Sequence, residues 1–513
     1  MLEQYVGALD EGTTSTRFIL FDTKGKIVAI HQMEFAQIYP KPGWVEHDPD
    51  ELVETALECM SVVRKKLKVL GIHPSQIKAI GITNQRETTC VWHKESGEPL
   101  ANAIVWSDAR TKDTVAKLKA KPGADKIQEL CGLPISTYFA GVKLRWLLDH
   151  NKNVKKAYDE GNLCFGTVDS WLLWNLTGGL NGGRHITDAT NASRSMFMNI
   201  RTLEYDPELL KFFGVEKVIL PQIVSSSEVY GRLGSGPFSG VPLSGCLGDQ
   251  SAALVGQLGF RPGEAKNTYG TGCFLLYNTG EEPIISQNGL LTTIGFKFGK
   301  EGKPFYALEG SISVAGSAIK WLRDNIGLIE TSEQIGELAA KVEDSAGVVF
   351  VTALSGLFAP YWRDDARGTI LGLTQFTKKE HLCRAALEAV CFQSKAILDA
   401  MEKDSGTPFK NLKVDGGITN SDVAMQIQAD LLGISVERPE MRETTALGAA
   451  IAAGFAVGVW KSFDELLEIN QENKSVFEPQ YSQERREKEM KLWNKAVEKS
   501  FGWIQESLND DNE

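Results

Sequence analysis

A chain of 513 residues is too long for one compact core and suits two or three domains. Its composition, 42% hydrophobic and 24% charged, excludes long disorder. A formal net charge of -11 excludes a nucleic-acid partner, because such a field repels a phosphate backbone.

Three strands come first, YVGALD, RFILFD and KIVAIHQMEF, joined by tight turns at Gly12 and at Lys24-Gly25 and therefore expected to pair antiparallel. A helix follows over 49–70, capped by Asp48 and Pro49 and closed by Gly71. The strand IKAIGITNQ, 77–85, then ends in a polar turn. The opening theme returns at 264–280, EAKNTYGTGCFLLYNTG, as strand, Gly/Thr turn and strand. Helices are expected at 315–325 and 379–403, then the strand NLKVD at 411–415, the turn GGITNS and another helix. The small-residue run ALGAAIAAGFAVGVW, 446–460, falls short of the roughly 20 residues a membrane span needs, and reads as a tightly packed core helix. Near the end, Met490, Trp493, Val497, Phe501 and Ile504 share one stripe of an amphipathic surface helix, with an acidic tail expected to be loose.

Strands alternate with helices, which indicates an α/β protein. Two halves that each open on a strand–turn–strand suggest a duplication, with domains at 1–256 and 257–513. Eight cysteines without a CxxC pair and seven histidines without an HxxH pair fit neither a disulfide framework nor a transition-metal site. Buried thiols in a reducing compartment are expected. With no basic or apolar leader at Met-Leu-Glu-Gln and no transmembrane segment, the expectation is a cytoplasmic protein.

The chemistry starts in LDEGTTSTRFILFDTKG, 9–25. Backbone N–H groups and hydroxyls of Thr13, Thr14 and Ser15 can cradle phosphate oxygens, and Arg17 adds a forked cation. Asp10 would repel a bare polyphosphate, but it fits if Mg²⁺ lies between them. A second such turn, Gly270-Thr271-Gly272, and a third, Gly416-Gly417, can hold phosphates from both sides and then a nucleoside.

These three turns resemble those of the actin-like ATPase superfamily. The motifs ITNQRETTCVW (82–92), AIVWSDART (103–111), YFAGVKLRWLLD (138–149), GDQSAALVGQ (248–257), NTYGTGCF (267–274), VDGG (414–417) and ETTALGAA (443–450) resemble its carbohydrate-kinase branch, the glycerol kinase family in particular. The resemblance implies two actin-like (ribonuclease H-like) domains, each a mixed five-stranded sheet flanked by helices, with the active-site cleft between them. It implies transfer of the γ-phosphoryl of ATP to glycerol, with Mg²⁺ as cofactor and a homodimer as the assembly. Asp249 would be the general base, and Asp10, through water, the metal ligand. Read from the residues alone, Asp249 serves equally as a helix cap for SAALVGQLG, and Arg86 with Glu87 as two solvated loop charges. In the family pattern Arg86, Glu87, Tyr138, Asp249 and Gln250 hold the polyol, and Trp106 and Phe274 wall its carbon edge. Thr14 and Arg17 then face the terminal phosphates, Gly270 and Thr271 form the second phosphate turn, and Gly316, Gly416 and Gly417 admit the nucleotide. Two positions depart from the pattern. A family asparagine falls on Ser421, with Asn420 beside it, and a glutamine falls on Lys320. The stretch GRLGSGPFSGVPLSG, 231–245, has only Arg232 where some relatives carry a basic bisphosphate loop, so no fructose 1,6-bisphosphate site is expected. The rivals are another polyol or pentulose kinase of this fold and a non-catalytic actin-like ATPase.

Overall fold

The computed structural model describes residues 3–470 and 473–503. Strand β1 (Tyr5–Glu11) is buried along its whole length, because both of its faces are covered. Tyr5 and Leu9 pack on the side of helix α1 (Pro49–Val69), whereas Val6 and Ala8 face a second cluster. β1 pairs antiparallel with β2 (Ser15–Asp22), which pairs with β3 (Ile27–Glu34), as the tight turns require. β4 (Ile77–Asn84) runs parallel to β1, and β5 (Ser227–Arg232) and β6 (Pro242–Gly248) complete a sheet of order β5-β6-β4-β1-β2-β3. Helix α2 (Asp249–Gly256) leaves the end of β6 directly.

The second half repeats the plan. β7 (Ala265–Tyr269), β8 (Cys273–Gly280), β9 (Leu291–Lys297) and β10 (Pro304–Ile312) form an antiparallel group. β11 (Asn411–Asp415) runs parallel to β7 and to β12 (Ser435–Arg438), with β13 (Ser475–Phe477) at the edge. The order is β9-β10-β8-β7-β11-β12-β13. Both sheets thus contain the expected five-stranded arrangement, β3-β2-β1-β4-β6 and β10-β8-β7-β11-β12, widened by edge strands to six and seven.

Four helices of the second half matter below: α3 (Gly316–Asp324), α4 (Lys379–Ser405), α5 (Asp422–Leu432) and α6 (Thr444–Ala456). α6 is buried on nearly all sides and packs on β1, β4, β6 and α2, so the end of the second half rests on the first sheet. Glycines make this approach possible: a Cβ on Gly81 would lie 2.1 Å from the Ala449 carbonyl oxygen, and one on Gly448 1.8 Å from that of Ala252. Helix α7 (Gln483–Lys499) buries Trp493 and Val497, with Met490 and Phe501 partly covered, on the core around α4. Ile504 and the acidic tail lie outside the described residues. A four-stranded sheet without a sequence expectation, Glu46–His47, Ala103–Ile104, Thr89–His93 and Leu163–Thr167, lies within the first half. No helix among the described residues is long and apolar enough to cross a membrane.

Candidate active site

The β1–β2 register places Asp10 opposite Arg17, with Arg17 Nε 3.6 Å from Asp10 Oδ2. Arg17 Nη1 donates to Glu443 Oε2 (2.7 Å), at the start of α6. Thr14 is exposed at the turn, Ser15 is buried, and the Thr13 hydroxyl accepts from Trp106 Nε1 (2.9 Å). Burial pushes the Asp10 carboxyl up to about 6 against the pull of Arg17, with Glu443 and Asp249 adding to the rise. Among the described residues, Arg17 Nε and the hydroxyl of Thr83, which pairs with Asp10 across β4, are buried without a hydrogen-bond partner.

The second turn sits on the start of α3. The Gly316 N–H donates to the Gly270 carbonyl, and those of Ala315 and Ser317 to Thr271. A Cβ on Gly316 would stand 2.5 Å from the Gly270 oxygen, so Gly316 is first of all required by this contact. Gly416, at φ +93°, presses in the same way on the Tyr269 carbonyl, whereas the space at Gly417 is open. Lys320 is exposed one helical turn beyond Gly316. Ser421 caps α5, its hydroxyl accepting from the Ala424 N–H (3.2 Å).

The seven polyol candidates form a chain of contacts. Arg86 Nε lies 3.2 Å from Asp249 Oδ1, which accepts from the Gln250 N–H (2.8 Å). Gln250 Oε1 accepts from Lys266 Nζ (2.5 Å), which also donates to the Phe274 carbonyl (3.3 Å). Phe274 meets Trp106 edge to face with centroids 6.0 Å apart, and Trp106 lies 5.6 Å from Tyr138. Arg194 stands over the Tyr138 ring, donates to Glu87 Oε1 (2.5 Å), and closes the chain by reaching Glu309. Glu309, from β10, takes both terminal nitrogens of Arg86 at 2.6 and 2.7 Å.

This geometry rules out two of the alternative readings. Arg86 and Glu87 are fully buried rather than solvated, and the Arg86 fork is directed at Glu309 instead of an open pocket. Nor does Asp249 cap its helix: Gly248 holds that position, and Asp249 is the first helical residue, its side chain 30% exposed. A Cβ on Gly248 would lie 2.6 Å from Arg86 Cγ and Cδ, so only glycine lets the arginine pass. Burial raises the Asp249 carboxyl, opposed by Arg86 and Lys266. Burial would also raise Glu309, but Arg194 and Arg86 hold it down to about 2. It pulls the Lys266 ammonium down to about 8.

Comparison with known proteins identifies the family. The family model for the N-terminal domain of the FGGY family of carbohydrate kinases matches residues 5–256, and that for the C-terminal domain matches 265–457. The chain belongs to the FGGY family of carbohydrate kinases. Among its relatives, the glycerol kinase of Pseudarthrobacter chlorophenolicus is 53% identical over 99% of this chain and 100% of its own length. That of Methylobacterium radiotolerans is 51% identical over 98% and 99%. The structure of Plasmodium falciparum glycerol kinase with ADP superimposes with a TM-score of 0.89 at 39% identity, covering 98% of this chain and 99% of the other. A Lactobacillus acidophilus xylulose kinase, at 23% identity and TM-score 0.84, shares the fold.

Sequence reasoning missed four charged residues that contact the candidate site: Arg194, Lys266, Glu309 and Glu443. Lys266 lies inside the quoted hairpin EAKNTYGTGCF, where a lysine in a buried strand is itself a signal. Arg194 and Glu309 carry no local signal, because their partners lie 107 to 223 positions away.

Proposed function

We propose that this site transfers the γ-phosphoryl group of ATP to a terminal hydroxyl of glycerol, giving sn-glycerol 3-phosphate and ADP, with Asp249 as general base. The observation that carries this reading is the Asp249 carboxylate. It is partly exposed at the start of α2, its basicity raised by burial, with Arg86 Nε 3.2 Å away and near enough to Asp10 of the β1–β2 hairpin to raise that carboxyl. A carboxylate poised to accept the hydroxyl proton contributes about 10²–10⁴ in rate. The transition state of phosphoryl transfer is loose, so positioning and charge neutralisation supply the rest.

In this reading the carbon edge of glycerol lies on Trp106, Phe274 and Tyr138, with Arg86, Glu87 and Gln250 around its hydroxyls. Thr13, Thr14, Ser15 and Arg17 meet the terminal phosphates from one side, Gly270 and Thr271 from the other. The nucleotide follows over Gly316 and the open face of Gly417 toward Gly416, Lys320 and Ser421. Mg²⁺ fits at Asp10: the donors would be hard carboxylate oxygens, and Glu443 and Asp249 add to the rise of the Asp10 carboxyl, which a cation would relieve. Bound there, it would offset charge on the phosphate oxygens. The buried free thiols suit the cytoplasm, and a homodimer is the assembly we expect.

The test is initial-rate ADP release with Mg·ATP, comparing glycerol, D-xylulose, ribitol and no acceptor, with Asp249→Asn alongside. Glycerol alone should drive turnover, and Asp249→Asn should lose about 10²–10⁴ of it while still binding ADP. Faster turnover with xylulose or ribitol would refute the substrate, and equal ADP release without acceptor would refute the kinase reading. Arg232, exposed and bonded to the Gly240 carbonyl, is the one basic residue of 231–245, so millimolar fructose 1,6-bisphosphate should leave the rate unchanged.

A further inference from the structure

Two buried charges stand behind the residues expected to touch the polyol, Arg194 from the first half and Glu309 from the second. Glu309 is fully buried on β10, between Arg86 and Arg194 of the first half. Its Oε2 and Oε1 accept from Arg86 Nη1 and Nη2 at 2.6 and 2.7 Å, and from Arg194 Nη1 and Nη2 at 3.4 and 3.3 Å. Arg194 is further committed to Glu87. Arg86 is the one member of this group that also reaches Asp249, and it does so through Nε alone.

Planar two-point pairing is the strongest arrangement a guanidinium can make with a carboxylate, and here it is made with Glu309 rather than Asp249. A guanidinium freed from Glu309 would have Asp249 as its nearest remaining carboxylate, already 3.2 Å from Nε. Turned fully onto Asp249, it would occupy the oxygens that must receive the substrate proton. We propose that Glu309 is a positioning residue for phosphoryl transfer: by holding both terminal nitrogens of Arg86, it keeps the Asp249 carboxylate open to the substrate hydroxyl. The inference rests on the assignment of Asp249 as base. It adds that the half opposite the base-bearing helix governs the availability of the base. Lys266, the other cation facing Asp249, cannot substitute, because its ammonium is committed to Gln250, Thr268 and the Phe274 carbonyl.

The experiment is a double-mutant cycle on the full-length enzyme, crossing Glu309→Gln with Asp249→Asn and reading kcat and the KM values for glycerol and ATP. In the native background Glu309→Gln should lower kcat about 10²-fold, with the KM for ATP within about twofold. In the Asp249→Asn background, where no base remains to be blocked, the same change should cost less than about threefold. ADP binding by calorimetry confirms that each variant is folded. Should Glu309→Gln not fold, Glu309→Asp keeps the charge but shortens the reach, and it should show a smaller kcat loss that likewise vanishes with Asp249→Asn. Equal losses in both backgrounds, or a folded variant with native kcat, overturn the proposal. Failure of the unmutated enzyme to phosphorylate glycerol would instead refute the functional reading itself.

Discussion

Lys143 is fully buried, and its Nζ donates to the carbonyls of Thr137 (2.8 Å) and Tyr138 (2.5 Å), fixing the loop that carries one wall of the pocket. Burial pulls its ammonium down to about 7. Replacing it by methionine leaves two carbonyls unpartnered, and should raise the KM for glycerol about tenfold while leaving that for ATP unchanged. The pH dependence has a definite sign. An unfolded lysine takes up its proton below about 10.5, whereas the folded one waits until about 7. Lys143 therefore contributes stability above the unfolded value, and this is lost as pH falls toward 7. Urea unfolding between pH 10 and 7 should show the native protein losing up to about 1.4 kcal/mol per pH unit relative to Lys143→Met, with no further change below 7. Identical slopes would mean that Lys143 is charged throughout. Lys143 stands in YFAGVKLRWLLD, so the motif was legible but its role was not. The sequence shows a lysine in a helix, and only the fold shows that its ammonium turns back onto the preceding loop. The Arg86-Glu87 pair was legible in the same partial way. Adjacency marked it out, but the partners Arg194 and Glu309 are supplied by distant segments.

Elements with strong local punctuation were readable. For α1, Asp48 accepts from the Asp50 N–H, Pro49 takes the first helical position, and Lys66 and Lys68 close the last turn. The small-residue run was readable as a packed helix, although it spans 444–456 rather than 446–460. The short strands between 46 and 167 were not, since two to five residues carry too little periodicity to declare a strand. Packing of α6 against α2 gives this level its own prediction. Gly448 meets the Ala252 carbonyl and Gly256 that of Thr444, each so close that a Cβ would lie 1.8 Å from the oxygen. A methyl there must push the helices apart. Gly448→Ala should cost about 1–3 kcal/mol in chemical unfolding and, because α2 begins with Asp249, lower kcat as well. An unchanged midpoint would show that the two helices can slide without penalty.

The two halves share more than a cleft. One core cluster draws together Val6, Phe21 and Leu247 of the first half with Leu276, Phe296 and Leu447 of the second, and the Arg86–Glu309 and Arg17–Glu443 pairs bridge the same divide. Opening one half alone would uncover part of that cluster and leave buried charges without their partners, so the halves should unfold together. The cysteines offer a way to watch this. All eight are free and buried: residues 59, 90, 131, 164 and 246 in the first half, and 273, 383 and 391 in the second. Burial pushes the Cys59 and Cys131 thiols up to about 12, so at pH 8 almost no thiolate is present to react. Each sulfur becomes a timestamp, written only when its surroundings have opened. In a short pulse of alkylating reagent during slow denaturation, intact-mass spectra should show molecules carrying no label or eight, with species of three or five scarce. Abundant fivefold or threefold species would show the halves parting before either unfolds. Added glycerol and ADP should lengthen the unlabelled lifetime of all eight sulfurs together, which would turn a chain without disulfides into its own recorder of ligand-linked stability.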